Sequence, residues 1–161
     1  MTATTTTTAP FVLGADAGER SWLLTGERLV KATAEQTGGA SIGEERMPAG
    51  TATPLHVHDE ESEAYYVLDG EVDLHVDGAP PVRLGPGSFA LVPAGVAHAH
   101  VVVTDARWLG ISGARFGRFL DEAGVPAVAG EPQPAPDLAR VLAAAERHAT
   151  RIVGAPPVTQ R

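Results

Sequence analysis

The chain has 161 residues, enough for one well-buried core and too few for two ordinary domains. It contains no cysteine, which excludes disulfides, thiolate catalysis and iron–sulfur clusters, and its net charge of −8 opposes binding to nucleic acid, which needs a basic face. No stretch approaches the ~20 apolar residues of a membrane-spanning helix, and the N-terminus lacks the basic and apolar regions of an export signal, so a cytoplasmic protein that avoids membranes is expected.

Residues 1–10 are mostly threonine and alanine, too poor in apolar surface to offset the entropy of ordering; residues 1–18 are expected to be a disordered or extended tail. Residues 21–24 and 29–33 read as two strands around Thr25-Gly26-Glu27, and residues 40–47 as another after Gly38-Gly39. His56 and His58 are two apart, so on an extended strand they share a face with Cα atoms roughly 6.8 Å apart, close enough for both imidazoles to reach one ion. Glu63 has the wrong parity for an uninterrupted strand, but the polar run Asp59-Glu60-Glu61-Ser62 gives the chain a place to bend and reset its phase. A strand over residues 65–68 then returns Glu63 to the histidines, and Asp69-Gly70 reads as a hairpin turn.

Residues 71–76 alternate strictly, with His75 on the polar side beside Glu71 and Asp73. Asp77-Gly78 turns the chain and Val82-Arg83-Leu84 pairs back. Gly87 and Pro93-Ala94-Gly95 bracket a short apolar strand, and His98 begins the next; His100 shares its parity and is expected to face the same interior. Residues 101–104 and 107–111 close the strand region. Residues 115–123 place Phe116, Phe119 and Leu120 at helical spacing before Gly124 as a C-cap, residues 130–136 form a proline-rich linker, and residues 137–150 read as an amphipathic helix. Its buried face is expected to carry Leu138, Val141, Leu142 and Ala145, with His148 solvated near its end.

Two stretches resemble the paired motifs of the cupin superfamily. The first, G-x5-HxH-x4-E-x6-G, is matched at Gly50, His56, His58, Glu63 and Gly70. The second, G-x5-PxG-x2-H-x3-N, is matched at Gly87, Pro93, Gly95 and His98, with Val102 in place of the final Asn. The resemblance implies an all-β jelly-roll barrel over residues 19–112 with residues 113–161 as a helical extension packed on it. It also implies one divalent transition metal per chain (Ni, Mn, Fe, Co, Cu or Zn) held by His56, His58, Glu63 and His98. Candidate pocket residues are Tyr65, by parity with Glu63, His100, Met47, Phe89 and Phe116.

More of the chain is similar to single-domain quercetin 2,3-dioxygenases: the segment from Trp22, the EAYYVLDGEV block, PGSFALVPAGVAHAH, ARFGRFLDEAG and RIVGAPP. That resemblance implies opening of a flavonol by O2 with release of carbon monoxide, Glu63 as the base, and a homodimer. A non-redox cyclase, isomerase or lyase, and a binding or sensing module without catalysis, are the alternative expectations from the same site.

Overall fold

The computed structural model describes residues 9–128 and 130–157. Of the predicted tail, residues 1–8 lie outside the described residues, and residues 9–18 form neither helix nor strand. The strands β1 (Glu19–Trp22) and β2 (Glu27–Ala32) lead into a single helical turn, α1 (Ala34–Thr37), and then β3 (Ala40–Met47). The strands β4 (Leu55–His58), β5 (Glu63–Asp69), β6 (Val72–Val76), β7 (Val82–Leu84), β8 (Phe89–Val92), β9 (His98–Val102) and β10 (Ala106–Gly113) follow. The chain finishes with α2 (Ala114–Ala123), β11 (Val125–Pro126), α3 (Leu138–Arg147) and β12 (Thr150–Gly154).

The strands form two antiparallel sheets, one ordered β11-β1-β2-β3-β10-β5-β8 and the other β12-β4-β9-β6-β7. Between them lies an apolar core drawn from both: Met47, Tyr65, Val67, Val92 and Trp108 from the first, Val72, Leu74, Leu84 and Val102 from the second. The alternation that predicts β6 buries Val72 and Leu74 and leaves His75 half-buried. In β10 the same period-2 pattern buries Ala106, Trp108, Gly110 and Ser112.

Asp69-Gly70 is not a hairpin. β5 pairs with β10 and β8, whereas β6 pairs with β9 and β7, so this turn carries the chain from one sheet to the other. Gly70 adopts φ +76°, and a Cβ there would collide with the Asp105 carbonyl oxygen, so glycine is required by conformation and by space. β1 is covered by β11, and β2 and β3 are interior strands.

The segment after residue 113 is not purely helical, because β12 pairs with β4 and extends the second sheet. α2 packs on β3, with Phe116 buried, and α3 packs on α2 and β12. The buried stripe of α3 is Val141, Ala144 and Ala145, while Leu138 and Leu142 are exposed. The small alanines face its neighbours, where close approach favours them, and the two leucines fall on the outer side. His148 is not solvated either: α3 brings it against α2, where Nε2 lies 2.6 Å from Glu122 Oε2 and the side chain is 15% exposed. No helix among the described residues is long and apolar enough to cross a membrane.

Candidate metal centre

β4 and β9 lie side by side with His56 directly opposite His98, and the two-residue period of β4 puts His58 on the same face. The bend over residues 59–62 lets the chain cross to the other sheet, where β5 starts at Glu63. The histidines therefore come from one sheet and the carboxylate from the other. His56, His58, Glu63 and His98 are all buried, and each offers one ligand atom within 4.8 Å of the others. Glu63 Oε2 is 3.0 Å from His58 Nε2 and 3.2 Å from His98 Nε2.

Hydrogen bonds on the far side of each ring fix this convergence. The Nδ1 atoms of His56 and His98 lie 2.8 Å from the Pro54 carbonyl and 3.0 Å from the Val96 carbonyl, and carbonyls only accept, so Nδ1 carries the proton in both rings. His58 Nδ1 meets Thr150 Oγ1 at 3.1 Å, a contact supplied by β12. With Nδ1–H committed, Nε2 of His98 turns a lone pair toward the Glu63 carboxylate. That juxtaposition is repulsive unless a cation or a proton lies between them, so the donor set fits a divalent ion.

The electrostatics agree. Burial alone raises the Glu63 pKa, but hydrogen bonds and charge from His58 and His98 outweigh it and hold the carboxyl well below its usual range. Burial, reinforced by His98, pushes His56 down to about 4, and burial pushes His100 down to about 3. Both imidazoles are neutral at pH 7, the state a metal ligand requires.

Beside this cluster opens a mostly apolar cavity of about 710 Å³, its mouth included. His56, Glu63 and His100 line it together with Met47 and Phe116. Phe116 also packs its ring 3.9 Å, centroid to centroid, from His58. Two of the predicted pocket residues fall elsewhere. Tyr65 belongs to the core beneath the cavity, edge-on to His100 and Trp108. Its buried hydroxyl makes no hydrogen bond of ordinary geometry but lies near Glu63, which after burial is the main cause that holds its pKa well above the usual value. Phe89 is 60% exposed on β8, because its parity turns it to the outer face of the sheet. Two residues absent from the sequence reading join the site. Thr150 orients His58, and Glu45 lines the cavity from β3. Burial, followed by the charge of Glu63, pushes the Glu45 carboxyl up to about 7, while Arg28 and Trp108 pull it the other way.

Residues 43–112 match the protein family described as the cupin domain. The chain is 47% identical over 53 residues to dimethylsulfoniopropionate lyase DddQ of Ruegeria pomeroyi, covering 33% of this chain and 26% of that protein. It is 33% identical over 94 residues to quercetin 2,3-dioxygenase of Bacillus subtilis, covering 56% of this chain and 27% of that protein. It thus spans about a quarter of the length of these relatives. Among solved structures, KdgF from Halomonas superimposes with a TM-score of 0.57 at 18% identity, over 65% of this chain and 94% of that one. A predicted oxalate decarboxylase from Thermotoga maritima gives 0.57 at 21% identity, over 65% and 98%. Likeness at these identities speaks to the fold.

Proposed function

Since the chain belongs to the cupin superfamily through its domain at residues 43–112, we propose that it is a metal-dependent enzyme acting on a small molecule held between two sheets that close as a jelly roll. The reaction is dioxygenation of a metal-chelating enol, with a flavonol as the representative substrate. The observation that carries this reading is the buried three-histidine, one-carboxylate cluster opening onto a cavity walled by Phe116, Phe119 and Leu120. Such a wall suits a flat aromatic ligand, and the match to quercetin 2,3-dioxygenase points the same way.

His56, His58, His98 and Glu63 would hold the ion. A bound redox-capable ion supplies Lewis acidity toward an enolate and an electron path to O2. Glu63, ionised by its two imidazole neighbours, accepts the proton of the acidic enol hydroxyl at a carboxylate oxygen. Thr150 and the Pro54 and Val96 carbonyls keep the imidazoles oriented throughout. Phe116, packed against His58, and Phe119, stacked on it, exclude water from the cavity beside the histidines.

A non-redox reading is favoured by one specific observation, the 47% identity to a lyase. One experiment separates the two. Apo-protein is reconstituted separately with Mn, Fe, Co, Ni, Cu and Zn, and each form is given quercetin in air while oxygen uptake and carbon monoxide are followed. Dimethylsulfoniopropionate is offered in parallel, with dimethyl sulfide as the readout. Oxygen consumption with carbon monoxide release is expected in at least one form. Cleavage of the sulfonium compound without oxygen uptake by any form with quercetin would replace dioxygenation by elimination.

A further inference from the structure

Glu45 is a charged side chain in a place where charge is costly. The residue is 6% exposed, and among the described residues its carboxyl makes no hydrogen bond or ion pair. The two neighbours that would be expected to satisfy it do not. Arg28 is its cross-strand partner, but that guanidinium donates instead to Asp121 Oδ1 at 2.8 Å and to Ser41 Oγ at 3.1 Å. Trp108 is its partner on the other side, and the buried indole Nε1 lies close enough to lower the Glu45 pKa but makes no hydrogen bond of ordinary geometry to it. Gly110 helps to make the room: a Cβ there would stand 3.0 Å from Glu45 Oε1. The carboxyl is therefore left facing the cavity, whose lining around it includes Leu23, Leu24 and Met47.

The position of the carboxyl relative to the metal cluster follows from the sheet. Glu63 pairs with Ser112, and Glu45 Oε1 reaches back along β3 to Gly110, two residues from Ser112, so the carboxyl lies roughly 7 Å of strand from the level of Glu63. A ligand anchored at the histidines thus meets Glu45 with atoms beyond its chelating group. An unpaired buried carboxyl is rescued by a hydrogen-bond donor on the ligand, and a ligand carrying a second anion there is repelled.

We infer that Glu45 is a specificity-determining residue that accepts a hydrogen bond from a substrate hydroxyl lying beyond the metal-chelating group, selecting polyhydroxylated aromatic ligands. The elevated Glu45 pKa is what an unpaired carboxyl in this cavity should have. This inference rests on the flavonol reading and narrows it.

The test uses zinc-loaded protein, where redox chemistry does not compete with binding, and two probes. Quercetin carries hydroxyls on its outer rings, whereas 3-hydroxyflavone keeps the chelating hydroxy-ketone and lacks them. Dissociation constants are measured by fluorescence titration for wild type, Glu45→Gln and Glu45→Met. Wild type should bind quercetin at least about tenfold more tightly than 3-hydroxyflavone, the worth of a hydrogen bond to a charged group. Glu45→Met should abolish that preference while holding 3-hydroxyflavone within about twofold, which also shows that the variant is folded. If Glu45→Met fails to fold, Glu45→Gln decides: its weaker, neutral acceptor should reduce the preference without removing it. Equal binding of both probes to wild type, or a preference unchanged in Glu45→Gln and Glu45→Met, overturns the role of Glu45 and leaves the flavonol reading standing. Failure of wild type to bind either probe overturns both.

Discussion

At the scale of single residues, the site is governed by which groups are buried with a partner and which without. Glu63 has two imidazoles against it and stays ionised; Glu45 has no such partner and is pushed up to about 7 from an ordinary value of 4.5. An acid whose pKa is higher in the folded chain binds its proton more tightly there. Its share of stability is therefore present below pH 4.5 and is lost as pH rises through about 7. In chelator-stripped protein, Glu45→Gln should gain on wild type between pH 5 and 8 by up to ~3 kcal/mol, the value of such a shift. Urea unfolding at several pH values measures it; a difference that does not vary with pH would mean that Glu45 titrates normally. Glu63→Gln keeps the shape and one ligand oxygen but loses the base, so it should bind a flavonol and turn over at least ~100-fold more slowly. Normal turnover in that variant would remove Glu63 from the proton transfer.

At the scale of elements, β12 is the piece that ties the C-terminal segment to the metal centre. Thr150 pairs with His58 across the β12–β4 ladder and meets its Nδ1 with a hydroxyl. Thr150→Val keeps the β-branched shape and deletes that partner, so metal affinity should fall by about 10–100-fold in a competitive chelator titration, with the fold intact. Undiminished affinity would show that β4 holds the ring alone. This strand was not legible in the sequence, because five residues following a helix carry too little alternation to stand out from a loop. α1 was missed for the opposite reason: Thr33 and Gln36 form a readable capping box, but the helix is one turn long. The pleated strands and the histidine spacing were legible, since both follow from a two-residue period. Local turn chemistry, by contrast, cannot say whether Asp69-Gly70 joins two neighbours or crosses between sheets. Glu45 was hidden for a related reason: in the run Gly43-Glu44-Glu45-Arg46 it looks like a solvated charge until the sheets show which face is inward.

At the scale of the whole molecule, two sheets bring three histidines and one carboxylate from opposite walls to a single point beside a cavity. The sheet ends at β8 and β7 expose unpaired strand edges, with Phe89, Leu91 and Val82 apolar and exposed there. We propose a homodimer, for which light scattering should give about twice the 16.6 kDa chain mass at micromolar concentration. The chain mass itself would contradict it. The strands between residues 21 and 47 offer no such edge, because β1 is covered by β11 and β2 and β3 are interior. Every functional statement rests on the metal centre, and elemental analysis of protein purified without chelators tests that centre most directly. One divalent ion per chain is expected in wild type and in His75→Ala and His148→Ala, with loss of the ion in His56→Ala and in His98→Ala. Full metal content in both of the latter variants would contradict the account.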